Sequence, residues 1–343
     1  MNMKKVHVAI GLFLLCCVGF SNAQSNYRVI NRIPVEGNGG WDYITMDEAA
    51  SRLYVSHGNE MNVVDIATQK VIGIVPDTKG VHGIALASDL NKGFISNGRD
   101  TSVTVIDLKT LKLIAKIKVT GNNPDAIMYD ALSHKVLTFN GRSSNSTVID
   151  ANTNRVIGTI KLIGKPEFPV NDLKGRIYVN IEDKNSISVI NINTLKVEKT
   201  WSIAPGESPS GLAIDLKNHR LFSVCENKLM VVVDYMTGKI ISTLKIGEGV
   251  DGVSFDPGLN RVYSSNGEGT MTVVQEKDAN TFVVLENVRT QKGARTITVN
   301  TKTHRLYLPT AEYSAAPAPT NDNPHPRTSV KPGTFTVLEI GLR

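Results

Sequence analysis

Apolar residues in this chain come in short runs of four to seven, rich in Val, Ile, Tyr and Phe and separated by Asn, Asp, Gly, Thr and Lys. That pattern predicts β-strands joined by turns, and no 3.6-residue periodicity competes with it. One run recurs as a basic residue, two or three apolar or aromatic residues, then a small or polar end. It reads Arg52-Leu53-Tyr54-Val55-Ser56, Lys92-Gly93-Phe94-Ile95-Ser96, Lys135-Val136-Leu137-Thr138-Phe139, Arg176-Ile177-Tyr178-Val179-Asn180, Arg220-Leu221-Phe222-Ser223-Val224, Arg261-Val262-Tyr263-Ser264-Ser265 and Arg305-Leu306-Tyr307-Leu308-Pro309. The leading residues stand 40, 43, 41, 44, 41 and 44 positions apart, a spacing that fits propeller blades. Each unit holds four strand-like runs; the second, for example, has Gly83–Ala87, Gly93–Ser96, Ser102–Asp107 and Leu113–Val119. The prediction is an all-β, seven-bladed β-propeller with four-stranded blades.

Turn chemistry supports the same frame. Asp65, Asp107, Asp150, Asn191 and Asp234 each precede a Thr by three residues and a basic residue by five, where Asx side chains start tight turns. The last unit lacks an outer strand. Tyr27–Val35 has the right pattern to supply it, so the N-terminal strand is expected to close the ring beside a C-terminal strand at Phe335–Ile340.

Composition refines this picture. Lys4 and Lys5, the apolar run Val8–Phe20 and the small residues of Ser21-Asn22-Ala23 predict a signal peptide over residues 1–23, with cleavage between Ala23 and Gln24. The expected location is the periplasm or the exterior. Lipidation at Cys16 or Cys17 is disfavoured, since Leu15 is bulky and the apolar run continues beyond both cysteines. Residues 24–343 are then one domain with no membrane-spanning segment. Cleavage lowers the formal charge from +6 to +4 and leaves Cys225 alone, so no internal disulfide framework is expected.

Gly40-Trp41-Asp42-Tyr43, Ser96-Asn97-Gly98-Arg99-Asp100, Asn123-Pro124-Asp125-Ala126, Ser208-Pro209-Ser210-Gly211-Leu212-Ala213, Gly293-Ala294-Arg295-Thr296 and Tyr307-Leu308-Pro309-Thr310-Ala311-Glu312 resemble the YncE family, whose units are called YVTN repeats. The resemblance implies an exported seven-bladed propeller. Relatives have been linked to surface layers and single-stranded DNA, and the fold class includes lactonases and amine dehydrogenases, so fold does not choose a function.

Propeller connectivity sends entry loops and second-to-third loops to one face. The other face is monotonous, and His134, His219 and His304 fall there in equivalent turns, where a structural role is expected. On the varied face, strand entries carry Trp41, Asp42, His82, Asp125, Glu167, Ser210, Asp251 and Arg295. Following the second strands come His57, Asn97, Arg99, Asn140, Arg142, Glu182, Glu226, Asn266, Glu268 and Glu312. Their mixed charges predict a polar funnel that binds a small molecule, glycan or peptide. The alternative is a hydrolase or lyase, lactonase-like and with or without metal assistance, using His57 or His82 with a carboxylate. No His-x-x-x-His, paired-Cys or Gly-x-Ser-x-Gly motif is present, no cofactor is assigned, and a metal ion is considered only through His57 and His82 with carboxylate neighbours. Nucleic acid ranks last as a partner, because the charge is small and no basic stripe is interleaved with aromatics. A monomer is expected. The Pro-rich segment Ser314–Pro332 is placed over the funnel as either a lid or a plain surface loop. Replacing His57 or Glu268 by Ala is expected to spare the fold.

Overall fold

A computed structural model describes residues 26–37, 39–316 and 328–342. The predicted signal peptide lies outside the described residues, as does the middle of the predicted lid. Among the described residues there are seven four-stranded antiparallel sheets and two short 3₁₀ turns, with no longer helix. None of these helices is long and apolar enough to cross a membrane.

In six blades the strands follow chain order, as in Val81–Ala87, Lys92–Asn97, Ser102–Asp107 and Leu113–Lys118. The seventh combines Thr298–Asn300, Arg305–Thr310, Thr336–Leu342 and, outermost, Tyr27–Pro34. Tyr27 pairs with Leu342 and Ile33 with Val337, so both chain ends are tied into one sheet, as predicted. First strands of neighbouring blades touch all the way round, closing a ring about a central channel.

Burial follows strand order. The middle two strands of each blade are nearly all buried, as in Arg52–His57 and Glu60–Asp65, because both faces are covered by adjacent blades. Outer strands alternate, as in Lys70–Val75, since only their inward residues meet a neighbour. A large aromatic fills the middle of most second strands: Tyr54, Phe94, Tyr178, Phe222, Tyr263 and Tyr307 are essentially inaccessible.

One position shows how the repeat uses backbone chemistry. The residue before each second strand is Ser51, Asn91, His134, Gly175, His219, Asn260 or His304, and all seven have positive φ. Gly, Asn and His are favoured there because they tolerate the left-handed region. The three histidines predicted as turn residues therefore share a backbone requirement.

Candidate functional site

The site begins with a break in regular pairing. Five first strands shift register against the second strand within their opening residues, between Val81 and Ile84, Pro124 and Ile127, Pro166 and Pro169, Pro209 and Leu212, and Val250 and Gly252. A bulge of this kind interrupts the ladder and re-aims a side chain. It contains His82, Asp125, Glu167, Ser210 and Asp251. The matching residues of the first and last blades are Asp42 and Arg295, completing a ring of seven.

Polar residues near the ends of second strands satisfy the freed backbone groups. Ser56 accepts from the Asp42 amide at 2.8 Å, and Ser96 accepts from Gly83 at 3.2 Å and donates to the Asp125 carbonyl at 2.6 Å. Ser265 donates to the Arg295 carbonyl at 2.6 Å, and Asn180 donates to the carbonyls of Ser210 and Gly211. The small or polar end of the sequence repeat thus stitches the ring in place.

Eight of the residues expected on the varied face line one mouth cavity of about 240 Å³: Asp42, Asp125, Glu167, Glu182, Ser210, Glu226, Asp251 and Arg295. His82 adjoins it through Asp42 and Asp125. Three cations are each held by carboxylates. His82 Nδ1 lies 2.6 Å from Asp42 Oδ2 and 3.3 Å from Asp125 Oδ1. Lys165 lies 2.8 Å from Glu167 and also contacts Glu182. Arg295 donates to Asp251 at 2.8 Å and to the Trp41 carbonyl at 2.9 Å, with Asp42 at 3.7 Å.

Six carboxylates converge here, and crowding in a part-buried site shifts their protonation. Burial raises Asp125 to about 7, with the charges of Asp42 and Asp251 adding and His82 opposing. Glu167 is raised to about 9 by burial and by Asp125, against Lys165. Asp251 is raised to about 6 by burial and by Asp42, against Arg295. Burial alone would lower His82, but its bond to Asp42 and the charge of Asp125 hold it at about 9.

Below the ring two aromatic side chains meet across the channel. One residue further along, five blades carry Gly83, Ala126, Gly211, Gly252 and Thr296, while the first and fourth carry Tyr43 and Phe168. These two rings meet with centroids 5.3 Å apart although they come from blades three places apart. The small residues make room: a Cβ on Gly83 would stand 3.1 Å from the Tyr43 ring. Beyond this aromatic pair lies a largely apolar cavity of about 410 Å³, walled by residues such as Ile44, Ile84, Ile127 and Val170. Tyr43 and Asp251 line both chambers.

Other candidates lie elsewhere. Second strands end at His57, Asn97, Asn140, Ile181, Cys225, Asn266 and Thr310, and all seven positions are buried. Asn97, Asn140 and Asn266 each donate to hydroxyls of the facing strand, such as Ser102 and Thr104, and so serve the blade. His57 fills the same slot and stacks on Phe335 with centroids 4.0 Å apart; burial lowers its pKa. It lines a separate cavity with Gly37 and Phe335. The expectation that His57→Ala spares the fold therefore reverses. Trp41 is buried, its indole packed on Phe335 and Tyr313. Arg99, Arg142, Glu268 and Glu312 are exposed outside the mouth, with Glu268 bonded to Thr270 and Glu312 to Lys331.

Register explains this division. Immediately after the buried slot stand Gly58, Gly98, Gly141, Glu182, Glu226, Gly267 and Ala311. A Cβ on Gly141 would approach Lys165 and Asp125, so this position faces the mouth, and only Glu182 and Glu226 use it for a charge. The next residue points away. Sequence reasoning missed Tyr43, Lys165 and Ser208 in the lining. Tyr43 was legible as an aromatic at a position that is otherwise small or Phe. Lys165 and Ser208 stand just before Pro166 and Pro209, which begin first strands, and carried no distinguishing pattern.

Among the described residues, Asp42, His82 and Asp125 form the group that could hold a metal ion, their ligand atoms all within 4.8 Å of one another. His57 does not belong to it, so the two histidines paired by sequence reasoning are separated. Cys225 is buried and its thiol is pushed up to about 12 by burial, which suppresses thiolate chemistry.

No family model and no curated protein matches this chain. Solved structures do. A chain of hydrazine synthase from Kuenenia stuttgartiensis aligns with TM-score 0.69 at 17% identity, covering 80% of this chain and 94% of its own length. A chain of the mitotic checkpoint complex aligns with TM-score 0.72 at 10% identity, covering 89% and 96%. U3-55K aligns with TM-score 0.75 at 8% identity, covering 92% and 98%. At these identities the likeness establishes the β-propeller fold and nothing finer.

Proposed function

We propose that this protein is an exported binding propeller of the YncE type whose acidic mouth holds a small ligand. The observation that supports it most is the convergence of charged residues from six blades on one cavity above an aromatic floor. A purely architectural ring would reuse one residue type, whereas seven equivalent positions here carry five types. Even with Glu167 protonated, the other carboxylates outnumber Lys165, Arg295 and His82, so the mouth favours a cationic or hydroxyl-rich ligand and repels a phosphate backbone.

A thermal-shift panel of amines, sugars, short peptides and carboxylates tests this reading with wild type and with Asp251→Asn and Glu182→Gln. A ligand should raise the melting temperature of wild type and do so less in both variants. Equal shifts in all three proteins, or none with any class, would sink the reading. Export is tested separately by mass spectrometry of the periplasmic fraction, where the chain should begin at Gln24; an intact Met1 in the cytoplasm would refute it.

His82 between two carboxylates keeps a hydrolase or lyase reading in view, because that is an arrangement for moving a proton. Lactone hydrolysis that disappears in His82→Gln would favour it. No turnover, with ligand binding intact, would leave binding alone.

A further inference from the structure

We propose that Asp42, His82 and Asp125 form a divalent transition-metal site, with zinc-like preference, opening into the mouth. The inference rests on the reading of the mouth as a ligand site and names what that site would hold. Three consecutive blades each contribute one donor at the same level of the ring: Asp42 Oδ2, His82 Nδ1 and Asp125 Oδ1. A four-coordinate zinc with bonds near 2.0–2.2 Å needs donors roughly 3.3 Å apart. The His82–Asp125 separation is already 3.3 Å, and the His82–Asp42 separation of 2.6 Å is that of a proton-bridged pair. As the metal–nitrogen bond forms, that proton leaves to solvent and Asp42 moves outward by a few tenths of an ångström.

A second feature points the same way. Metal-bound histidines are held in one orientation by a partner on the other ring nitrogen. Asn123 stands beside that nitrogen, since its Oδ1 and His82 Nε2 both border the space over Gly98, while its Nδ2 donates to Asp125 Oδ2 at 3.3 Å. One amide thus positions two of the three donors. Asn123 has φ of 55°, a left-handed conformation that aims it from the entry loop. Gly98 completes the arrangement, because a Cβ there would stand 2.5 Å from His82 Nε2 and 2.8 Å from Asn123 Oδ1. A larger residue would force His82 and Asn123 apart.

Three protein donors leave a fourth position for water or for a ligand group, and here it faces the 240 Å³ cavity beside Tyr43. The donor set of one imidazole and two carboxylates suits zinc or manganese better than a thiolate-seeking metal.

Calorimetric titration of zinc chloride into full-length mature protein, purified without a polyhistidine tag and stripped with EDTA, tests the proposal. Cobalt absorbance reports the geometry. Wild type should bind one ion per chain. His82→Gln should weaken binding by about a hundredfold or more, and Asn123→Gly by about 10–100-fold. Glu268→Gln, outside the mouth, should bind as wild type does. Asn123→Gly keeps the left-handed backbone, so it remains informative if His82→Gln fails to fold. No stoichiometric binding by wild type, or binding untouched by both substitutions, would overturn the site. If zinc fails while the ligand panel still depends on Asp251 and Glu182, the binding reading survives; if both fail, neither stands.

Discussion

A buried charge that lacks compensation leaves a signature in stability. Glu276 is 2% exposed; Asn218 donates to one carboxylate oxygen at 3.0 Å and the other oxygen makes no hydrogen bond. Burial and the neighbouring Asp215 raise its pKa to about 7, with Arg220 opposing. The folded protein therefore holds a proton that the unfolded chain releases near pH 4.5, and stability falls as pH rises from there through 7. Glu276→Gln is expected to raise the melting temperature at pH 8 and to change it little at pH 4.5. Thermal denaturation across that range decides it, and equal effects at both ends would show that the carboxylate is not responsible. His57 makes the contrasting case. Because it is buried against Phe335, His57→Ala should cost about 2–5 kcal/mol, whereas Glu268→Ala should stay within about 0.5 kcal/mol in urea unfolding.

The strand and its turns are the units the sequence spells most plainly. The Asp-x-x-Thr turns, the left-handed residue before each second strand and the buried strand middles all obey local rules, so their periodicity is visible without a structure. Ser51 gives a direct check, since it is exposed, has φ of 54° and makes no side-chain hydrogen bond. Ser51→Gly should be tolerated, while Ser51→Ile should cost about 1–2 kcal/mol by equilibrium unfolding. The candidate site was less legible, and for a physical reason. The entry residues were readable because they stand at one equivalent position in every unit, and in five blades a bulge re-aims them. After the second strands, a one-residue step separates the buried slot of Asn97 and His57 from the mouth-facing position of Glu182, and a further step separates that from the outward Arg99. Counting residues after a strand gives the loop but not the direction a side chain takes within it. The aromatic contact was hidden for another reason: Tyr43 and Phe168 are 125 positions apart and meet only because the ring closes.

Closure organises the whole molecule. The strand Tyr27–Pro34 covers the edge of Thr336–Leu342, and Tyr27 and Ile33 are each 1% exposed, with Val35 buried beside them. Burying each of these side chains contributes about 1.5–3 kcal/mol, which together is much of a typical domain's net stability. A chain lacking residues 26–35 should unfold at markedly lower temperature and associate through its exposed edge, seen by calorimetry and light scattering. Unchanged melting and a monodisperse monomer would show that closure matters little. A closed ring also gathers the entry residues of its blades at one mouth, and that mouth is the central claim about function. Crystallographic fragment screening tests it most directly. Bound fragments are expected to concentrate in the mouth, contacting Asp251, Arg295 or the Asp42–His82–Asp125 group. Fragments found only on the face of repeated turns, with none in the mouth, would contradict it.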